Sequence, residues 1–314
     1  MNQAQPPHQT HPAHPPHTAD RRPVDPREVR GPAGPRSAGG PQPPRGQRAR
    51  DAAPRIDPSL PGRGVHLGRL HPLTRLRRRL ETIFLSLGFS LVEGPEVEWE
   101  AYNFTHLNFP PDHPARDMHD TVYVAGDRER PDGAGTGRQL LRTHTSPVQV
   151  RVLETRAPPI RVITFGRVYR AEATDARSEA QFSHMEVLAV DEGTTMASLK
   201  GVVRHVLTTV LGGEVELRFR CSYFPSVEPG AEVDVRCRVC GGRGCRVCEG
   251  TGWLEVLGCG MVHPSVLRHG GLDPRRFRGW ALGMGVERLA LTYYGVEDIR
   301  HFSRNDRRFL AQLP

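Results

Sequence analysis

The chain has 314 residues, enough for two ordinary domains or one large one with a sizeable core. Its 43 basic and 35 acidic residues leave a formal charge of +8. No apolar run approaches the roughly 20 residues that cross a bilayer, and no charged-then-apolar leader follows Met1. A soluble, cytoplasmic protein with no membrane partner is expected.

Residues 1–64 contain no aromatic side chain, fifteen of the 29 prolines, and only Met1, Val24, Val29, Ile56 and Leu60 as larger apolar groups. Such a segment cannot bury enough surface to offset the entropy of ordering it. It is expected to be a disordered Pro/His/Arg-rich arm, with the folded domain spanning 65–314. Ten arginines against five acids concentrate the excess positive charge there. The arm would either pull weakly on an anion such as RNA or remain a solvated tail. His8, His11, His14 and His17 recur every third residue and would share one face of a polyproline II helix. A loose metal site and a plain low-complexity tract both fit that pattern.

Leu73, Leu76, Leu80, Ile83, Phe84 and Leu87 repeat at helical spacing, with Thr74 as expected cap and Gly88 as stop. Phe89–Val92 reads as a short extended piece, broken by Gly94-Pro95. Residues 125–138, rich in Gly, Asp and Arg, read as an exposed loop. A second helix is expected over Met196–Leu211, turning Leu199, Val202, Val203, Val206, Leu207 and Val210 inward before Gly212-Gly213. Strand-like runs occupy Ile160–Phe165, Glu186–Val190, Val215–Arg220, Ala231–Val235, Trp253–Leu257 and Trp280–Leu282. Hairpin strands with helices gathered to one side imply an α+β fold on an antiparallel sheet.

Cys237, Cys240, Cys245 and Cys248 form C-x2-C-x4-C-x2-C inside an eight-residue tandem repeat, CRVCGGRG then CRVCEGTG. Glycines after each pair let backbone amides approach the thiolates. Four thiolates at this spacing suit tetrahedral Zn²⁺, and four protein ligands leave no open position, so the expected role is structural. The repeat resembles the zinc-binding repeats of heat-shock co-chaperones, but one pair is too little to carry over their function. A zinc clip over 237–252, on a hairpin tip, is the reading; Cys221 and Cys259 are expected in the core.

Seven segments in order, HPLTRLRRRLETIF, EGPEVEWEAYNFTHLNFPPDHPARDMHDT, LLRTHTSPVQVR, FGRVYRAE, SYFPSVEPGAEVDV, WLEVLGCGMVHPSVLR and GMGVERLAL, resemble the α subunit of bacterial phenylalanyl-tRNA synthetase over roughly residues 66–312. The resemblance implies the class II aminoacyl-tRNA synthetase catalytic fold, an antiparallel sheet flanked by helices. It also implies an α2β2 heterotetramer with a separate β subunit, and tRNA(Phe), ATP and Mg²⁺ as reaction partners. Arg170 and Glu172 match the class II Arg-x-Glu, Arg170 at the α-phosphate and Glu172 at the adenine amino group. Phe182 would stack on adenine, and Arg288 would meet the terminal phosphates. Pro95 matches the motif 1 proline, beside the helix that builds the dimer interface in this family. Glu228 matches a Mg²⁺ ligand shared with the β subunit. His144, Ser146, His184, Glu186, Phe224, Ser226 and Ala281 match the amino-acid subsite. There Glu186 would pair the ammonium group, Phe224 face the substrate ring and Ala281 limit its depth, with His119 near the carboxylate. The implied reaction is adenylation of the amino acid by ATP, then transfer to the tRNA 3′-terminal ribose.

Four departures from the family pattern bear on substrate. The N-terminal helical hairpin that reaches toward tRNA has no counterpart in the Pro-rich head. The loop after motif 2 carries Ser178 and His184 where the family has histidine and glutamine. Ser226 replaces the second of two aromatic residues, and Trp280 and Leu282 flank Ala281 in place of two phenylalanines. Three readings follow: a phenylalanine–tRNA ligase α subunit, a paralogue taking a larger or more polar aromatic amino acid in a resistance or biosynthetic role, or a non-catalytic synthetase-like binding protein.

Overall fold

Helix α1 (Pro72–Ser86) buries Leu76, Leu80, Ile83 and Phe84, the stripe its spacing predicts. Its cap is His71 and not Thr74. The His71 Nδ1 accepts from the Leu73 amide at 3.3 Å, and Pro72 occupies the first turn, where a missing N–H costs nothing. With Nδ1 accepting, Nε2 donates to the Phe302 carbonyl at 3.0 Å. In the computed structural model the described residues are 59, 62, 68–129, 136–171 and 178–313, so the expected arm and its histidine repeat lie outside them. One compact unit spans residues 66–314.

After α1 come β1 (Ser90–Leu91), β2 (Val97–Trp99), α2 (Glu100–Asn103), β3 (Arg128–Glu129), β4 (Thr136–Gly137) and β5 (Gln139–Leu141). The expected loop at 125–138 therefore contains the paired stem β3–β4. Helix α3 (Pro147–Thr155) leads into the long hairpin β6 (Ile160–Tyr169) and β7 (Gln181–Asp191), then α4 (Met196–Leu211). Thr195 and Ser198 close a reciprocal capping box at the start of α4. Strands β8 (Leu217–Cys221), β9 (Val227–Arg236) and β10 (Trp253–Val262) precede α5 (Pro264–His269), β11 (Arg278–Gly285), α6 (Val286–Tyr294), α7 (Arg300–Ser303) and α8 (Arg307–Leu310).

The main sheet has the order β1-β6-β7-β11-β10-β9-β8. It is antiparallel except at one edge, where β1 runs parallel to β6, so the sheet is mixed. Antiparallel neighbours follow from hairpins; β1 has no hairpin partner and arrives from α1, which frees its direction.

The two faces of this sheet are covered unequally. Met185, Val187 and Ala189 of β7, with Trp280, Leu282 and Met284 of β11, point into the large core beneath α1, α4 and α6. Leu188 and Val190, with Ala281, point the other way, into a smaller core with Val148 and Leu153 of α3 and Val266 and Leu267 of α5. Alternation along β7 puts Phe182, His184 and Glu186 on that second face, beyond the reach of the smaller core. The uncovered part of the face is the cleft described below.

Phe84 is fully buried and meets Phe89 edge-on at 5.4 Å, whereas Leu85 beside it is half exposed. Phe84→Ala is expected to cost about 3–5 kcal/mol in urea unfolding, and Leu85→Ala less than about 0.5 kcal/mol.

Candidate active site

A cleft of about 560 Å³ opens on the exposed part of the sheet. Its wall includes His144, Ser146, Arg170, Phe182, His184, Glu186, Phe224, Ser226, Ala281 and Arg288, ten of the residues singled out from the sequence. They arrive from the start of α3, the β6–β7 hairpin, the turn between β8 and β9, strand β11 and helix α6.

Strand register orders them along the floor. Gly285 lies opposite His184, Gly283 opposite Glu186, and Ala281 opposite Leu188. Each step of two residues advances about 6.7 Å, so Ala281 closes the floor one step beyond the Glu186 carboxylate. Gly283 is required here: a Cβ would meet His184 Cε1 at 3.0 Å and Glu186 Oε2 at 3.2 Å, covering both groups. On β10, Gly258 is the seat of the Phe224 ring, whose Cζ would lie 3.0 Å from a Cβ there.

Electrostatics at this end favour a cation. Burial pushes the Glu186 carboxyl up to about 8, against hydrogen bonds from Ser146 and Gln149. Gln149 Nε2 donates to Oε1 at 2.6 Å, while Oε2 is buried with no hydrogen-bond partner. His184 Nδ1 is 3.6 Å from that oxygen, but burial and the nearby Arg170 charge hold the ring well below its usual range, so it stays neutral. Thr145 supplies its hydrogen bonds, from the amide at 3.5 Å and at the hydroxyl at 2.9 Å. His144 stacks on Phe109, with centroids 5.9 Å apart. Burial and Arg170 lower it to about 3, outweighing the Asn103 main chain.

The opposite end is cationic. Arg170 follows β6, its amide bonded to the Ala180 carbonyl at 2.9 Å and its Nε donating to the Thr143 carbonyl at 3.3 Å. Its guanidinium stands 5.1 Å from the Phe182 ring centroid. Arg288 Nη1 donates to Glu255 Oε1 at 3.0 Å. Glu255 is also 3.9 Å from Arg220, which Asp234 grips through two hydrogen bonds of 2.7 and 2.9 Å.

Sequence reasoning missed several wall residues: Phe104, Phe109, Asp120, Glu255, Glu287 and Ile299. Glu287 stands directly before Arg288 in GMGVER, which was a usable signal. Its Oε1 accepts from the Ser183 amide at 2.8 Å, its Oε2 is buried without a hydrogen-bond partner, and burial raises it to about 7. One bond thus ties the strand carrying Phe182 and His184 to the helix carrying Arg288.

Other expected residues are elsewhere. Glu228 is exposed, its carboxylate 3.7 Å from His263 Nε2, and is not part of the cleft wall. His119 is exposed and outside the wall, although Asp120 belongs to it. Glu172 falls outside the described residues. Cys259 is buried as expected and lines the cleft, but Cys221 is exposed because it ends the edge strand β8.

The four repeat cysteines form a cluster with all Sγ atoms within 4.8 Å of one another, at the tip between β9 and β10. Recorded separations are 3.9 Å for Cys237–Cys245, 3.8 Å for Cys240–Cys248 and 3.7 Å for Cys245–Cys248. A tetrahedron with Zn–S bonds of about 2.3 Å has edges of about 3.8 Å, so the donor set and spacing fit zinc. The repeat governs the backbone too. Gly241 and Glu249, Gly242 and Gly250, and Gly244 and Gly252 all adopt positive φ, pair by pair eight residues apart. A Cβ on Gly244 would strike the Gly250 carbonyl oxygen, and one on Gly252 the Gly242 carbonyl oxygen, so the units cross symmetrically.

The family described as "tRNA synthetases class II core domain (F)" matches residues 55–313. The "Phenylalanine--tRNA ligase alpha subunit" of Chlorobaculum tepidum is 51% identical over 267 residues, covering 85% of this chain and 76% of that protein. The proteins of the same name from Legionella pneumophila (strain Lens) and Azotobacter vinelandii are each 52% identical over 265 residues, covering 84% of this chain and 75% of theirs. Among solved structures, pyrrolysyl-tRNA synthetase from Desulfitobacterium hafniense shares the fold, with a TM-score of 0.55 at 18% identity over 75% of this chain and 74% of that one.

Glu186 is protonated in the folded, ligand-free chain up to about pH 8 and titrates near 4.5 when unfolded. Stability from this group is therefore full below about pH 4.5 and falls with rising pH until about 8, by up to about 1.4 kcal/mol per unit. Glu186→Gln is expected to remove that loss, so its unfolding free energy gains on the unsubstituted chain between pH 5 and 8 in parallel urea titrations.

Proposed function

The chain belongs to the class II tRNA synthetases, among the phenylalanine–tRNA ligase α subunits, and we propose from that premise how its cleft works. The reaction is ATP-dependent activation of phenylalanine to its adenylate and transfer to tRNA(Phe), carried out with a β subunit in an α2β2 heterotetramer in the cytoplasm. Among the described residues no helix is long and apolar enough to cross a membrane. The observation carrying the reading is a single cleft with an unbonded carboxylate oxygen of Glu186 at one end and two arginines at the other.

In the proposed first step the amino-acid carboxylate attacks the α-phosphorus of ATP and pyrophosphate leaves. Glu186 releases its proton to solvent as the substrate binds and pairs with the ammonium group, while the neutral rings of His144 and His184 add no competing positive charge. Phe224 and Ala281 bound the substrate ring. Arg170 meets the charge developing at the α-phosphate, where a preorganised cation acts most strongly on the transition state. Phe182 supports adenine, with Glu172 at its amino group. Arg288 leaves Glu255 to bind the departing phosphates, and Glu287 holds the strand and helix that carry these groups in register. In the second step the tRNA ribose hydroxyl attacks the adenylate carbonyl and AMP leaves.

Mg²⁺ accompanies ATP in this class and neutralises phosphate charge when bound. Glu228 is proposed to hold such an ion together with the β subunit; one exposed carboxylate needs oxygen ligands from outside this chain. Cys237, Cys240, Cys245 and Cys248 are proposed to hold one structural Zn²⁺.

Ser226 favours a second reading, a larger or more polar aromatic substrate. It lines the cleft, and its hydroxyl makes no hydrogen bond among the described residues.

ATP–pyrophosphate exchange on the α–β complex, across phenylalanine, tyrosine and ring-substituted analogues, tests both. Phenylalanine is expected to support the fastest exchange, and Arg288→Ala to slow it by about 10²–10³. A clear win for tyrosine would move the substrate assignment to the second reading, and near-normal exchange by Arg288→Ala would remove that residue's role. Because binding must deprotonate Glu186, KM for the amino acid is expected to fall about tenfold per unit from pH 6 to about 8 and then level. A flat profile over that range would remove Glu186 as the ammonium partner.

A further inference from the structure

The four-cysteine tip is joined to the body by equivalent residues of its two repeats. Val239 and Val247 both pack against the large core, and Val247 is only 2% exposed. Arg238 donates through Nη1 to the Leu211 carbonyl at the end of α4. Arg246, its counterpart eight residues on, reaches Glu297 at 3.2 Å in a solvent-exposed pair, which marks where the tip lies but holds it only weakly. Glu297 lies between α6 and Ile299, and that stretch supplies Glu287, Arg288 and Ile299 to the cleft wall. Val286, Leu289, Ala290, Leu291, Val296 and Ile299 share the core that Val247 enters, as do residues of β7 and β11; the Arg246–Glu297 contact puts the tip at the Val296–Ile299 part of it.

Two features make this connection depend on the metal. The tip offers few apolar groups besides its two valines, too few to hold a shape unaided. Six of its residues also sit at positive φ, Glu249 among them, conformations that a loose loop would abandon. Metal–thiolate bonds are the energy source that fixes such a segment. The amino-acid end is built differently. Glu186 and Ala281 stand on β7 and β11, and Ser146 begins α3; none of these belongs to the tip or to the stretch it braces.

We infer that Val247, held by the loaded four-cysteine site, is a positioning residue for the ATP end of the cleft. The inference rests on the zinc reading above and goes beyond it: the ion acts on nucleotide binding through the segment from α6 to Ile299, and leaves the amino-acid end alone.

The test uses the α–β complex. Metal content is read by mass spectrometry, the ion is stripped with a chelator under reducing conditions, and ATP and amino-acid KM, ATP binding by calorimetry and Tm are recorded before and after. Stripping is expected to raise KM and Kd for ATP about tenfold with the amino-acid KM held within twofold. Val247→Ala is expected to keep its metal and raise the ATP KM several-fold with Tm within a few degrees. Unchanged ATP binding in both samples overturns the inference, and so does an equal loss for both substrates, which marks a general fold staple. A native complex without metal overturns the zinc reading alone; Val247→Ala then decides the positioning role by the same two KM values.

Discussion

Pairing of β7 with β11 sets the geometry on which everything else in the cleft depends. It aligns Gly285, Gly283 and Ala281 with His184, Glu186 and Leu188, one polar or apolar side chain against one absent or minimal side chain at each step. Because side chains alternate across a sheet, a slip of one residue would send Glu186 into the large core and Met185 into the cleft. Such a slip is opposed by the same alternation read from below. Met185, Val187, Trp280, Leu282 and Met284 fit beneath α1, α4 and α6 only in this register. The hydrophobic core on one face thus fixes the polar array on the other.

Burial without full satisfaction is the second constraint. One oxygen each of Glu186 and Glu287, Oε2 in both, is buried without a hydrogen bond, as are both ring nitrogens of His144. A group in that state costs stability, about 1–3 kcal/mol for a neutral polar atom. Burial limits the cost by favouring the uncharged forms: it raises both carboxyls, toward protonation, and lowers both histidines, toward the neutral ring. Stored this way, the Glu186 charge would, on the proposed mechanism, be regenerated when the substrate ammonium group arrives. Such a group would favour an ammonium ligand over a neutral one without a permanent buried ion.

The sequence made the helices and the four-cysteine cluster legible because their signals are local. Spacing marked α1, the α4 boundaries agree at both ends, and four cysteines at fixed intervals announce themselves. Helix α3 went unread because its apolar residues Val148, Val150 and Val152 recur every second position, a strand-like period that tertiary packing overrides. The parallel edge of β1 depends on a contact with β6 some 70 residues away, which no window reveals. Ten site residues reached one cleft by way of family resemblance, whereas Glu255 and Glu287 were passed over. Their roles arise from partners far along the chain, Arg288 and Ser183, and a lone glutamate in sequence carries no mark of its partner.

The charged side of the open face grades from fixed to exchangeable, and magnitude decides which pair yields. Asp234 is 1% exposed and holds Arg220 by two hydrogen bonds and Arg218 by a third; burial pushes its carboxyl up, but the two arginines win and lower it. Arg218 and Arg220 are themselves 43% and 41% exposed, but the Asp234 carboxylate is buried and shared by both, so this anchor stays. Arg288 and Glu255 are 37% and 41% exposed, where an ion pair is worth about 1 kcal/mol or less. A triphosphate brings more charge and more acceptors than one carboxylate, so on the proposed mechanism Arg288 would transfer to it at little cost. Glu255 is not stranded by the exchange, because Arg220, anchored by Asp234, already stands 3.9 Å away. The buried Asp234 carboxylate, by fixing Arg220, is what leaves the Arg288–Glu255 pair free to switch.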